Sequence, residues 1–426
     1  MRTFIEPERA IWDEITSRTL SDDSAVESRV REIVDAVRAG GDSTIKRLAR
    51  EIDGIEISSI SLLQDEIDLG AESVPGSLQE SIRIAAENIS AFHKAQMPAV
   101  VDIETAPGVR CVQKAVPITR VGLYIPGGTA PLFSTVLMLA IPAKIAGCKE
   151  LIMCTPRGKD GKVAPAVLFA AKLCGVDRVF GIGGAQAIAA MAYGTESVPK
   201  VSKIFGPGNR YVAKAKRLVS ENGVAIDMFA GPSEVLVLAD STSNPAFVAA
   251  DLLSQAEHGT DSRVCVVCDS CALEEAIHKE VQVQMSVLDR REIAEKAMSE
   301  SISIVLSNRG DMVDFANVYA AEHLIISTSD PWDIANQITA AGSVFIGNYS
   351  PESAGDYASG TNHTLPTSGT AVACSGVNLD SFMHKITYQE LTPVGLSSIA
   401  KVIVEMAQAE GLDAHANAVK VRMKSK

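Results

Sequence analysis

Hydrophobic and polar positions change their period several times along the chain, and each change marks an element. From Ser24 to Ala39 an amphipathic helical repeat runs until the pair Gly40 and Gly41, after which Asp42 is placed to cap a second helix that stops at Gly54. Ser77 and Glu80 have capping-box spacing at the head of a long helix. Ile82, Ala85, Ile89 and Phe92 are expected on its inner face, with His93 at the surface or rim.

After Pro117 the texture changes. VGLYIPGGTAPLFSTVLMLAIPAKIAG, DRVFGIGGAQAIAAMAYG and KVSKIFGPGNRYVAKAKRLV each run strand, glycine-rich loop, helix, and the strand ELIMCTP lies between the first two. Such alternation predicts βαβ units on a parallel sheet. IDMFAGPSEVLVLAD then reads as strand, tight turn and strand, and further apolar runs, SRVCVVCD, ISIVLS, HLIIST and SVFIG, predict a second sheet, so residues 121–234 read as a block inserted between two halves of another domain. A last pair of helices, Pro393 to Glu410 and one capped by Asp413, carries the apolar stripe Ile399, Ile403, Met406 and Ala407. That stripe must dock on its own chain or on a partner subunit, which makes a dimer an expectation.

Composition narrows the class. With 426 residues, 46% hydrophobic and 21% charged, the chain can bury more than one core. The formal net charge of −13 argues against nucleic acid and anionic membrane surfaces and for a small-molecule ligand. The N-terminal stretch lacks an apolar signal core, and the most apolar run is broken by Pro142 and Lys144, so neither a secretory signal nor a membrane span is expected. Eight scattered cysteines fit reduced thiols in a cytoplasm. CVVCDSC has knuckle spacing, yet Cys265 and Cys268 fall on an alternating strand whose residues three apart face opposite sides, so they read as buried small hydrophobes.

The candidate chemistry sits in a few places. In DLLSQAEHGT, Gln255 and His258 are three apart near a helix end and can reach one ion from a single face, though such a pair is also common in plain solvated helix ends. Glu322 and His323 stand where a helix gives way to a strand, a carboxylate beside an imidazole that titrates near neutrality. PESAGDYASGTNHTLPTSG is a long loop carrying Asp356, a possible hard oxygen ligand, and His363. Ser233 lies at a Gly-Pro turn, and Glu410 and His415 flank the break between the last helices. Glycine-rich loops near Tyr124, Gly127, Gly128, Gly183, Gly184, Gln186, Gly208 and Asn209 can together hold a nucleotide, since loops at the carboxyl ends of parallel strands line the ligand crevice. The dinucleotide fingerprint is imperfect: Gln186 replaces the third glycine, and no acid follows about 20 residues on to take a ribose hydroxyl. The alternative is that these glycines only make tight turns.

These blocks, VGLYIPGGTAPLFSTVLMLAIPAKIAG, FGPGNRYVAKAK, IDMFAGPSE, DLLSQAEHG, GDYASGTNHTLPTSG and EGLDAHANAV, closely resemble in sequence and order those of the histidinol dehydrogenases, which perform the last two steps of histidine biosynthesis. The resemblance implies an α/β fold of two incomplete Rossmann-like domains with parallel sheets, plus small helical N-terminal and C-terminal appendages. In residue terms it implies an appendage at 1–20, a metal and catalytic domain from 21–120 and 235–376, an NAD-binding insert at 121–234 and a helical arm at 377–426. It further implies Zn²⁺ held by Gln255, His258, Asp356 and His415, proton transfer by Glu322 and His323, substrate contacts at Ser233 and Glu410, and NAD contacts at Tyr124, Gln186 and Asn209. Substrate L-histidinol would touch the metal ligands and His323 as well, and the arm would cross to the second subunit of a homodimer. One departure is Ala321, where the family usually has proline before the Glu-His pair. Relatives that oxidise another small polar alcohol, a zinc hydrolase using the same ligands, and a non-catalytic binder of nucleotide or metal are the rival readings.

Overall fold

The structure is a computed structural model, and it describes residues 1–18, 24–127, 131–228 and 231–424. In chain order its strands are β1 (Arg2–Ile5), β2 (Val101–Ala106), β3 (Val109–Pro117), β4 (Arg120–Tyr124), β5 (Glu150–Cys154), β6 (Arg178–Phe180), β7 (Lys203–Phe205), β8 (Ala225–Ile226), β9 (Glu234–Ala239), β10 (Arg263–Cys268), β11 (Ile302–Val305), β12 (His323–Ser327), β13 (Ser343–Ile346) and β14 (Met383–Leu391). They form a six-stranded sheet in the order β1-β11-β10-β9-β12-β13, a five-stranded sheet β6-β5-β4-β7-β8, and a three-stranded sheet β14-β3-β2. The first two are parallel throughout, and the third is antiparallel. This is the α/β class with two parallel units that the strand-loop-helix texture predicts.

Apolar strand residues are buried on both faces, as helix-covered parallel sheets require. In the six-stranded sheet Val235 and Val237 pack on one side with Val248, Leu252 and Ile277, while Leu236 and Leu238 pack on the other with Phe315 and Trp12. Cys268 belongs to the first side and Cys265 to the second, as the strand reading of CVVC requires. The eight cysteines are all free.

Several boundaries differ from expectation. The N-terminal segment is not purely helical: β1 pairs in parallel with β11 as an edge strand, before the short helix Trp12–Thr16. Residues 24–94, expected with the metal domain, pack instead on the five-stranded sheet. Val30, Ile33 and Val37 lie against Ile188 and Val212 on one face, and Ile67, Ile82 and Ile89 join Leu123 and Leu168 on the other. Their apolar stripes close both faces of a sheet whose own helices leave them incompletely covered. The long C-terminal segment likewise is not purely helical, since a 3-10 turn, Leu379–Phe382, and the strand β14 precede its helices Pro393–Ala409 and Asp413–Lys424. The sheet it forms with β2 and β3 is signalled by the alternation of VDIETAPGVRCVQKAV around the turn at Gly108, a signal outweighed by the stronger βαβ pattern beyond it.

Local details shift too. The helix Gly76–Lys94 begins before Ser77, so no side-chain cap forms there. His93 is fully buried and Phe92 is 45% exposed, the reverse of the expected arrangement. His93 follows Ile89 by four residues and continues the stripe of Ile82, Ala85 and Ile89, and its Nδ1 reaches the Ile89 carbonyl at 2.8 Å. Asp42 does not cap a helix; its carboxylate receives the hydroxyl and N–H of Ser197 across the interface. Among the described residues no helix is long and apolar enough to cross a membrane.

Candidate functional site

Glu322 and His323 sit where the helix Arg309–Tyr319 ends and β12 begins. Ala320 makes the turn in the left-handed region at φ 49°, and both residues that follow the next alanine are driven inward, 6% and 4% exposed. Each is fixed by the backbone of Glu234, the first residue of the neighbouring strand β9. The Glu234 N–H donates to Glu322 Oε2 at 2.8 Å, and the Glu234 carbonyl lies 3.0 Å from His323 Nδ1. A carbonyl only accepts, so Nδ1 carries the proton and Nε2 keeps its lone pair in the neutral ring. Nε2 has no hydrogen-bond partner and faces Asp356 Oδ1 at 3.7 Å. Glu234 is itself clamped, since Arg18 Nε and Nη2 donate to its two carboxylate oxygens at 2.9 Å each and Nη2 also reaches the Tyr319 carbonyl. On the other side β13 approaches so closely that a β-carbon at Gly342 would stand 2.5 Å from the Glu322 carbonyl oxygen.

The electrostatics follow from burial among like groups. Burial raises the Glu322 carboxyl above its ordinary range, with His323 opposing the shift. Burial also disfavours the His323 imidazolium, but Glu322, Glu352 and Asp356 more than offset that and hold its pKa above the ordinary value. Burial would raise Asp356, yet its contact with His323 keeps it lowered.

A cluster of side chains able to hold a metal ion adjoins the pair. The helix Pro245–Ala256 follows β9 and runs antiparallel to it, which returns its C-terminal end to the amino edge of the sheet, beside Glu322 and His323. Gln255 is fully buried there, and neither its amide oxygen nor its amide nitrogen has a hydrogen-bond partner. His258, one turn on, offers a nitrogen that lies with oxygens of Glu352 and Asp356 within 4.8 Å of one another. The loop expected at 351–369 contains a short helix, Glu352–Tyr357, which puts Glu352 and Asp356 four residues apart on one face. Sequence reasoning missed Glu352, although its spacing from Asp356 is a readable signal. His363 acts on the same helix, its Nδ1 3.0 Å from the Asp356 carbonyl and its Nε2 3.3 Å from Thr135 of the other parallel unit.

A buried amide without partners costs about 1–3 kcal/mol for each unsatisfied group, so Gln255 is arranged for something that satisfies it. Amide oxygen, imidazole nitrogen and carboxylate oxygen are donors that suit Zn²⁺, and also Mn²⁺ or Co²⁺ in the absence of a thiolate. The residues present fit such an ion.

The remaining expected residues are distributed differently. Ser233 is half-buried immediately before Glu234, its carbonyl accepting the Arg263 N–H at 3.0 Å. Glu410 and His415 are exposed at the break between the last two helices, and His415 does not join the cluster of His258, Glu352 and Asp356 within this chain.

The nucleotide candidates surround the carboxyl ends of the five-stranded sheet. The chain order β6-β5-β4-β7-β8 reverses direction between β4 and β7, the switch point at which open parallel sheets leave a crevice. Tyr124 ends β4, buried, with its hydroxyl oxygen accepting the Gly184 N–H at 3.1 Å. Asn209 caps the helix Arg210–Ser220 after β7, its Oδ1 accepting the N–H groups of Tyr211 and Val212. Gly206, at φ 125°, passes so near that a β-carbon would meet the Tyr124 carbonyl oxygen at 2.0 Å. A buried ion pair, Lys216 with Asp227, holds that glycine by both backbone groups, since Lys216 Nζ donates to its carbonyl and Asp227 Oδ2 accepts its N–H. Gln186 is buried in the first turn of the helix Gly184–Tyr193. Gly128 lies outside the described residues.

This geometry has close relatives. A family model described as Histidinol dehydrogenase matches residues 16–423. A histidinol dehydrogenase of Bacteroides fragilis is 56% identical over 423 residues, covering 99% of both chains, and one of Bacteroides thetaiotaomicron is 52% identical over the same span. The crystal structure of histidinol dehydrogenase from Elizabethkingia anophelis superposes with a TM-score of 0.97 at 46% identity, covering 100% of this chain and 98% of that one. Family model, identity over the full length and superposition agree, and the chain belongs to the histidinol dehydrogenase family.

Proposed function

We propose that this protein is an NAD-dependent, zinc-requiring oxidoreductase that converts L-histidinol to L-histidine through the bound aldehyde, at the end of histidine biosynthesis. The observation that carries the reading is that His323 Nε2, which has no hydrogen-bond partner, faces Asp356, and that Asp356 lies with His258 and Glu352 in a cluster able to hold a metal ion, next to the unpartnered Gln255 amide. NAD⁺ would supply the hydride acceptor for each of the two oxidations, and a metal ion held by Gln255, His258 and Asp356 would supply a fixed positive charge that positions the substrate. His323 Nε2 accepts the hydroxyl proton as the alcohol becomes the aldehyde, its ring held in register by the Glu234 carbonyl. Glu322 takes a proton from the water that hydrates the aldehyde, and His323 accepts the second hydroxyl proton when the hydrate is oxidised. Ser233 and Glu410 contact the substrate, while Tyr124, Gln186 and Asn209 line the NAD site. Keeping the aldehyde in one site for both oxidations limits its escape.

His415 would complete the ligand set from a second subunit. Exposure of Val394 (69%), Val402 (56%) and Met406 (60%) on the helix Pro393–Ala409 supports that reading, since an apolar stripe on a terminal arm is stabilised by a partner. Residues 24–228 then serve as the cofactor unit, and residues 2–18 with 234–382 as the metal unit. Free cysteines and the biosynthetic family support a cytoplasmic enzyme.

The test is direct. Purified protein loaded with zinc, given L-histidinol and NAD⁺, is expected to yield two NADH for each histidine; one NADH with release of aldehyde, or amide hydrolysis without nicotinamide, would overturn the reading.

A further inference from the structure

A dinucleotide crevice at a switch point ordinarily supplies a carboxylate to the adenosine ribose, whose charge also repels the 2′-phosphate of NADP⁺. Within the parallel unit itself the position after β5 holds Arg157 rather than an acid. That guanidinium is largely buried, donating from Nη1 to Glu66 at 2.8 Å and to the Gly161 carbonyl at 2.9 Å and from Nη2 to the Ser59 carbonyl at 3.4 Å, while its Nε has no partner.

An acid reaches the crevice from elsewhere in the chain. The helical segment Ser24–Leu48 is broken by a kink at Gly41 (φ 53°), and its second part ends in a widened π-helical turn, Ala49–Asp53, closed by Gly54 at φ 68°. One extra residue in a turn rotates the residues after it by about 100° around the helix axis, and such turns recur at functional sites. Here the turn brings Asp53 Oδ2 to 3.1 Å from Gln186 Nε2, beside the N–H of Gly184 that Tyr124 receives. Among the described residues Asp53 Oδ2 accepts from Gln186, Oδ1 accepts no hydrogen bond, and Asp53 forms no ion pair. Protein mass around the carboxyl raises its pKa, while the Gln186 bond draws it back.

Resting on the NAD reading of this crevice, we propose that Asp53 is the carboxylate that accepts the adenosine ribose hydroxyls of NAD⁺, with Gln186 orienting it, and that it sets the preference for NAD⁺ over NADP⁺. The acid missing from the strand-loop-helix units is supplied by the helical segment that covers them. The sequence hides it because Asp53 precedes Gln186 by 133 residues.

Titration calorimetry on the zinc-loaded full chain without histidinol tests this with NAD⁺, NADP⁺ and NAD⁺ lacking the adenosine 2′-hydroxyl. Wild type is expected to bind NAD⁺ best. Asp53→Asn, and Asp53→Ser as a second variant, should weaken NAD⁺ by about tenfold or more, tighten NADP⁺ relative to NAD⁺, and no longer distinguish NAD⁺ from the 2′-deoxy analogue. Equal weakening of all three ligands, or unchanged constants, would overturn the assignment. Asn209→Asp separates this failure from failure of the crevice itself: it keeps a capping oxygen but adds a negative charge where the pyrophosphate would lie. If Asn209→Asp weakens NAD⁺ and the Asp53 variants do not, the crevice stands and the acid falls; if Asn209→Asp also leaves NAD⁺ binding intact, the crevice falls with it.

Discussion

Arg18 grips Glu234 by a two-point contact, and Glu234 in turn holds both Glu322 and His323 through its backbone. The arginine comes from the N-terminal segment and the glutamate opens β9, so residues more than 200 apart in sequence fix one buried Glu-His pair. Arg18→Met leaves a carboxylate that is 1% exposed without its partner. The expected loss is about 3 kcal/mol or more, the scale for breaking one side of a buried pair. Thermal melting should show it, and kcat should fall more than KM for histidinol rises.

The two halves of the reaction separate the roles of the pair. His323→Asn should slow oxidation of both L-histidinol and L-histidinal, whereas Glu322→Gln should slow the aldehyde step far more than the alcohol step, by about 10²–10⁴-fold. Stopped-flow measurement of NADH from each substrate checks it, and a Glu322→Gln enzyme impaired chiefly on the alcohol would reverse the assignment.

Glu352 shares a helical face with Asp356 and lies within the same cluster. Glu352→Gln is expected to lower zinc affinity about 10–100-fold, the scale for groups that orient or support metal ligands. Competition with a chelator reads this directly, and Gln255→Ala should act in the same direction. Chelation should abolish activity and added Zn²⁺ should restore it.

His93 provides a pH handle away from the cluster of His258, Glu352 and Asp356. Burial lowers its pKa, with the Ile89 carbonyl opposing, so the folded state resists the proton that the unfolded chain binds below about pH 6.5. More protons bound in the unfolded state mean that stability rises with pH, so this contribution is present above about 6.5 and is lost as pH falls below it. His93→Gln should flatten the acid limb of a urea midpoint against pH plot below about pH 6.5.

Subunit mixing tests the arm. Gln255→Ala and His415→Ala are each expected to be inactive alone. If His415 serves the neighbouring site, random hybrids of the two contain one intact site per hybrid dimer, and about one quarter of wild-type activity returns. If it serves its own chain, mixing restores nothing.

Legibility in the sequence tracks the range of each interaction. The parallel units, the opposed faces of Cys265 and Cys268, and the helix end carrying Gln255 and His258 are written in local periodicity. Periodicity misplaces His93 because Phe92 and His93 both fall near the inner stripe and only the packing chooses between them. It also assigns residues 24–94 to the wrong sheet, because an amphipathic stripe specifies burial without naming the surface it covers. Arg18, Asp53 and Glu234 cannot be singled out locally, since each acts through a contact with a residue from a distant part of the chain.

The edge strand β1 has a consequence for synthesis on the ribosome. Residues 2–5 pair with Ile302–Val305, so the first strand to emerge waits for about 300 further residues. At roughly 5–20 residues per second that wait is about 15–60 s. Residues 24–228, which form the five-stranded sheet and its covering helices, are complete well before it ends. One unit can therefore fold while the chain is still growing, and the other closes around it last, when the N-terminal segment finds its neighbour and Arg18 reaches Glu234.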